Sequence, residues 1–214
     1  MKRHLVRPAA AVALTVCSIA ILFSTCTPSL QLANVWRDPS YNLGPMKSMM
    51  VISVNKDRIK RRMWEDAFAV ELSKHRVAVT SSYHEFPDAF PDTNQITDAV
   101  RRYGYDGVLI ISALPIQTQS TPVAPYATTE PVTQYNPWRN RYYTRYVEEV
   151  HPGYVETSKI VSHEVDVWST KGHEQMVWSG TCAIADPVST QQIHDETIGL
   201  IVHDLTKAAI ILKR

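Results

Sequence analysis

The chain has 214 residues, 44% hydrophobic and 20% charged, with a formal net charge of +1. These values fit a globular protein that can bury a core without disulfide staples, and they favour one domain. Residues 1–25 hold Lys2, Arg3 and Arg7 but no acid, so without them the charge becomes −2, and no basic footprint for nucleic acid remains.

Residues 1–7 are basic, residues 9–23 form an uncharged apolar run, and small polar residues lead into Cys26. That layout is a secretory signal peptide. The run falls short of the roughly 20 residues a membrane-spanning helix needs. Leu22-Phe23-Ser24-Thr25-Cys26 resembles a bacterial lipobox, with Phe23 and Thr25 where Leu and a small residue are commoner. Cys17, in mid-run after Val16, fits it less well. The resemblance implies cleavage after residue 25 and diacylation of Cys26. Thr27 and Pro28 follow in place of an inner-membrane retention Asp, which implies an outer-membrane anchor with the domain facing the periplasm. Cys182 is then the one thiol left, so no intramolecular disulfide can form, and burial suits it in an oxidising compartment.

Residues 26–32 read as a lipidated tether and 33–214 as a single periplasmic α/β domain. A first strand is expected over 33–37. Residues 48–54 form a nearly continuous apolar run, the pattern of a strand buried on both faces. Residues 57–76 have helical spacing. Ile59, Met63, Ala67 and Val70 form one stripe and Trp64, Phe68 and Leu72 another, which together suggest a broad buried face. A short strand over 77–81, a helix from Asp92 or Thr93 to about 102 ended by Gly104, and a buried strand over 108–111 follow. This alternation predicts a βαβαβ half-sheet. Residues 115–152 hold six of the 13 prolines and many tyrosines, and form an insertion that is either functional or disordered, with a strand possible in its second half. Residues 155–167 and 175–185 alternate as an antiparallel hairpin, with Val161, His163, Val165 and Val167 on one face. Ser189 and Gln192 have capping-box spacing, and a helix runs from there to the C-terminus. The expected class is α/β, with α+β as the alternative: a half-sheet extended by a hairpin into a mixed sheet and closed by a C-terminal helix.

Several short motifs resemble a family of bacterial envelope lipoproteins of largely unassigned function. They are Val35-Trp36-Arg37-Asp38, the strand 50–54, residues 62–68 with Glu65-Asp66, and Ser81-Ser82-Tyr83. Tyr105-Asp106-Gly107-Val108-Leu109, Val177-Trp178-Ser179-Gly180 and Asp186-Pro187 complete the set. The resemblance spans most of 33–212 and implies a compact α/β periplasmic domain. It brings no catalytic residues with it.

Catalytic signatures are missing from the sequence. There is no HExxH pair, no GxSxG elbow and no glycine-rich phosphate loop. His163 reads as a core histidine and Cys182 as a buried structural thiol. Glu65-Asp66 and Glu148-Glu149 read as solvated acids. No metal or cofactor is expected. Two segments could carry function. Arg58, Lys60, Arg61 and Arg62 open a helix as a basic patch, which could meet anionic headgroups or acidic cell-wall polymer or simply be a solvated face. Trp138, Arg139, Arg141, Tyr142, Tyr143, Arg145 and Tyr146 combine rigid aromatics with directional donors, the chemistry of binding hot spots. The expectation is therefore a non-enzymatic domain that binds an envelope protein or peptidoglycan and not nucleic acid. The alternative is an envelope hydrolase acting on glycan or peptidoglycan.

Overall fold

The computed structural model describes residues 30–214; the leader, Cys26 and residues 27–29 of the tether lie outside them. β1 (Leu30–Arg37) and β2 (Ser48–Val54) lead to α1 (Arg58–Ser73), β3 (Ala78–Ser81), the single turn α2 (Ser82–Glu85), α3 (Thr93–Tyr103) and β4 (Gly107–Ala113). Then come β5 (Gln117–Val123), β6 (Tyr126–Asn136), β7 (Arg141–His151), β8 (Tyr154–Ser169), β9 (Gln175–Ala185) and α4 (Thr190–Lys207). The result is a mixed sheet in the order β1-β9-β8-β4-β2-β3 with helices packed against it. β2 pairs in parallel with β3 and β4; the β4·β8, β8·β9 and β1·β9 ladders are antiparallel.

The uniform hydrophobicity of β2 follows from its place in the sheet. Met49 and Val51 enter the larger core with Phe68, Trp178 and Leu205, on the side of α1 and α4. Met50 and Ile52 enter a second core with Ala99 and Val100 of α3. Helix ends are set locally. Asp57 accepts from the N–H groups of Ile59 and Lys60 at the start of α1. Asp92 and Gln95 form a full capping box on α3, and Gly104, at φ +67°, ends it. Ser189 accepts from the N–H of Gln192, but the Gln192 side chain reaches back to the N–H of Val188, so the expected box is only half formed.

Helix α1 corrects the sequence reading. Trp64, Phe68 and Leu72 are buried as expected, yet Ile59 and Val70 are 72% and 61% exposed and Met63 is exposed as well. Ile59, Met63 and Val70 lie about half a turn from the buried stripe at 100° per residue. The inner face is completed instead by Arg61 and Glu65, both buried.

One edge of the sheet is clasped to α4 through one carboxylate. Asp204 of α4 accepts from Arg37 on both oxygens, at 2.5 and 2.7 Å, and from the indole N–H of Trp178 at 2.9 Å. Two of the short motifs, around Trp36-Arg37 and Val177-Trp178, thus meet at a single acceptor.

Residues 115–152 are ordered as strand over most of their length. β5 pairs with the first half of β8 over seven residue pairs, and β6 pairs with β7 over eleven. The β5·β8 ladder belongs to the main sheet, whereas β6 and β7 form a separate two-stranded ribbon, roughly 36 Å of strand at about 3.3 Å per residue. Gly153 marks the break between them. A Cβ there would lie 2.9 Å from the Val123 carbonyl and 3.0 Å from Pro125 Cδ, so the close crossing requires glycine.

Candidate functional site

The outer ribbon, β6 and β7, carries the aromatic segment. Its turn is built by Asn136, whose side-chain oxygen accepts from the N–H groups of Trp138 and Arg139, and by Asn140 at φ +45°. Trp138 stands at the tip, 95% exposed. The interleaving of arginine and tyrosine in sequence becomes segregation in space, because alternate strand residues point to opposite faces. Arg141, Tyr143 and Arg145 share one face with Glu130, Val147 and Glu149. Tyr142 and Tyr146 share the other with Tyr135, Pro131 and Val150. Tyr142 and Tyr146 are each 73% exposed. Tyr135, absent from the sequence-derived set, packs at a tilt against Tyr142 with ring centroids 5.1 Å apart, and its hydroxyl donates to Asn140. The register set by the Asn136–Asn140 turn is the signal that identifies it. Tyr143 is held back on its own face, its hydroxyl donating to Gln134 at 3.0 Å. Arg139 lies exposed in the turn.

The basic patch does not hold together. Arg61 is 4% exposed and points inward. Its Nε donates to Glu65 at 3.0 Å, and its guanidinium donates also to the carbonyls of Phe86 and Ala89 and to the Ser82 hydroxyl. A fully hydrogen-bonded, buried guanidinium is not available to a headgroup. Arg58 faces Asp88 at 3.7 Å, and Arg62 lies over the Tyr83 ring at 5.1 Å; Lys60 is exposed. Glu65, read as a solvated acid, is fully buried. It accepts from Arg61, the Ser53 N–H, the Ser82 hydroxyl and the Tyr83 N–H. Asp66 accepts from the hydroxyls of Ser81 and Tyr83. The motifs Glu65-Asp66 and Ser81-Ser82-Tyr83 are therefore two halves of one structural network.

A second buried group lies where β8, α1 and α4 meet. His163 and His194 flank the Trp64 ring at centroid distances of 4.6 and 4.1 Å. Burial, with His194 adding to it, pushes the His163 imidazole down to about 4, and burial also lowers His194. Both are thus neutral at pH 7. Cys182 lies opposite His163 across the β8·β9 ladder, and burial raises its thiol to about 11. A thiol held protonated in this way is a poor nucleophile. Among the described residues no three His, Cys, Asp or Glu side chains converge as a metal site.

The open face of the sheet beside α3 holds a cavity of about 490 Å³, with Val100, Val108, Ile110 and Trp168 as its apolar wall and Asp166 and Glu174 at its polar edge.

No known family profile matches the chain, and no curated protein does. Among solved structures the chain is similar to a dodecameric PelC variant from Paraburkholderia phytofirmans, with 10% identity, a TM-score of 0.37, and coverage of 74% of this chain and 82% of that one. It is also similar to a PDZ domain protein from Parabacteroides distasonis, with 13% identity, a TM-score of 0.37, and coverage of 92% of this chain and 39% of that one.

Proposed function

We propose that this protein is an outer-membrane lipoprotein, anchored through Cys26, whose non-enzymatic periplasmic domain binds another envelope component, a protein or a cell-wall polymer, with its β-ribbon. The observation that carries this reading is the exposed aromatic face of Tyr135, Tyr142 and Tyr146 with Trp138 at its tip. Large rigid rings with few rotatable bonds bind at low entropic cost, and sugar rings or apolar side chains both stack on them. The lipobox-like leader supports the anchor, and the short motifs support membership of the envelope lipoprotein family named above. The parallel ladders β2·β3 and β2·β4 support the finer βαβαβ description of the first half-sheet. A mature charge near neutral argues against nucleic acid as the partner.

The test is capture of envelope components from solubilised cell envelopes by the full chain. Replacing Trp138, Tyr142 and Tyr146 together with Ala should reduce capture about tenfold or more, the scale of losing hot-spot aromatics. Equal capture by both proteins overturns the assignment of the ribbon as the binding surface.

A further inference from the structure

The two edges of the β6–β7 ribbon are not alike. Pro122, Pro125, Pro131 and Pro137 all lie along the β5–β6 side, whereas residues 138–151 contain no proline and no glycine. A proline in a paired strand has no N–H and sits with its nitrogen turned from its partner, so Pro131 spoils the outer edge of β6. β7 offers eleven residues with three Tyr and two Val, and among the described residues it pairs with β6 alone. Its outer edge is an uninterrupted row of backbone donors and acceptors. A lone two-stranded ribbon is marginal in water, whereas three or more strands are stable.

We infer that β7 pairs edge to edge with β7 of a second copy of this chain, antiparallel, to form a four-stranded sheet from two ribbons. The charges on the strand select both the occupant and the register. With Val147 opposite Val147 of the second copy, Arg145 faces Glu149, Tyr143 faces His151 and Tyr146 faces Glu148. A two-fold axis repeats each pair, so one patch serves both copies. Neighbouring registers are worse. Centring on Arg145 pairs Arg141 with Glu149 but sets Arg145 against itself, and centring on Glu148 opposes like anions, which is destabilising for directly opposed residues. Centring on Tyr146 sets Arg145 against Val147 and leaves its charge unmatched. The Val147-centred alignment is the one that pairs opposite charges without opposing like ones.

The pairing leaves the rings free. Directly opposed residues in an antiparallel ladder point to the same side, so the Tyr142 and Tyr146 faces of both copies lie on one side of the joined sheet. The inference does not rest on the binding proposal, since it uses the strand edge and not the rings.

The full chain in detergent-solubilised membranes tests it by cysteine cross-linking, because Cys182 is buried and Cys26 is expected to be acylated. Val147→Cys should give a disulfide-linked dimer as the main species under mild oxidation. Tyr143→Cys alone should give none, but mixed with a His151→Cys chain it should give the heterodimer. Adding Arg145→Glu to Val147→Cys should cut the dimer about tenfold, and adding Glu149→Arg as well should restore it. All these positions lie on the ribbon, so an unchanged melting curve shows that the core has folded. A Val147→Cys chain that stays monomeric, cross-links to a different protein, or ignores the charge reversal overturns the inference. Loss of partner capture by the aromatic variant, in a chain that still cross-links through residue 147, separates failure of one proposal from failure of the other.

Discussion

Glu65 shows how much one side chain can organise. Its carboxylate collects four donors from β2, α1 and the α2 turn, and Arg61 ties the same point to the carbonyls of residues 86 and 89. Such a pair is not a large net source of stability, because both ions are desolvated, but removing one partner leaves the other buried and uncompensated. Glu65→Gln should therefore cost roughly 3–5 kcal/mol in urea unfolding, while Asp66→Asn, on a more exposed carboxylate, should cost far less. The histidines beside Trp64 give a different kind of dependence. His163 is lowered to about 4 in the folded protein against an ordinary value of 6.5. Between those values the unfolded chain binds the extra proton. Stability from this site is thus complete above about pH 6.5 and is lost as pH falls toward 4, by roughly 3 kcal/mol in all. Unfolding at pH 7.5 and 4.5 should show that His163→Leu flattens the difference relative to the native chain. An unchanged pH dependence would show that the imidazole is not kept neutral.

At the level of elements, what could be read from the sequence depended on whether burial imposed a period. β2, β4, β8, β9, α3 and α4 bury apolar side chains at strand or helix spacing, and their positions follow from that spacing. Hydropathy places helix α1 correctly along the chain but turns it wrongly about its axis. Its inner face contains the Arg61–Glu65 pair, which hydropathy assigns to solvent, and its outer face carries Ile59 and Val70, which hydropathy assigns to the core. The ribbon was the least legible part. Exposed on both faces, it needs no apolar alternation, so the strands β5 and β6 leave almost no trace in the pattern. The aromatic segment stands out by residue type, yet Tyr135 and the split between tyrosine and arginine faces emerge only from the register. The same exposure predicts that the Trp138, Tyr142 and Tyr146→Ala variant melts within a degree or two of the native chain, since about 1 kcal/mol moves the midpoint of a domain this size by only 2–4 °C. A loss of several kcal/mol, as for buried aromatics, would place these rings in a packed interface within the chain.

For the molecule as a whole, the expected anchor and the described domain are joined by very little chain. β1 begins at Leu30, four residues after Cys26. A lipid on Cys26 would therefore hold the β1 edge of the sheet close to the membrane surface. Cys26→Ser should abolish fatty-acid labelling and move the protein from the membrane to the soluble fraction. Continued membrane association would place the anchor elsewhere, for instance in the apolar leader.

That same first strand also governs when the fold can be completed. β1 pairs with β9, Leu30 against Ile184, and Arg37 is fastened to Asp204. The first described strand thus finds its neighbours among the last to be synthesised. Loop closure over such a separation is entropically slow, and topologies dominated by distant pairings fold slowly. The early β2–α1–β3 segment can gather its own contacts as it emerges, but β1 must wait for the C-terminal hairpin and helix. Until they arrive it is a strand without its partner. The order of assembly is thus opposite to the order of the chain at its first element: the part expected to be anchored first is the part sealed last.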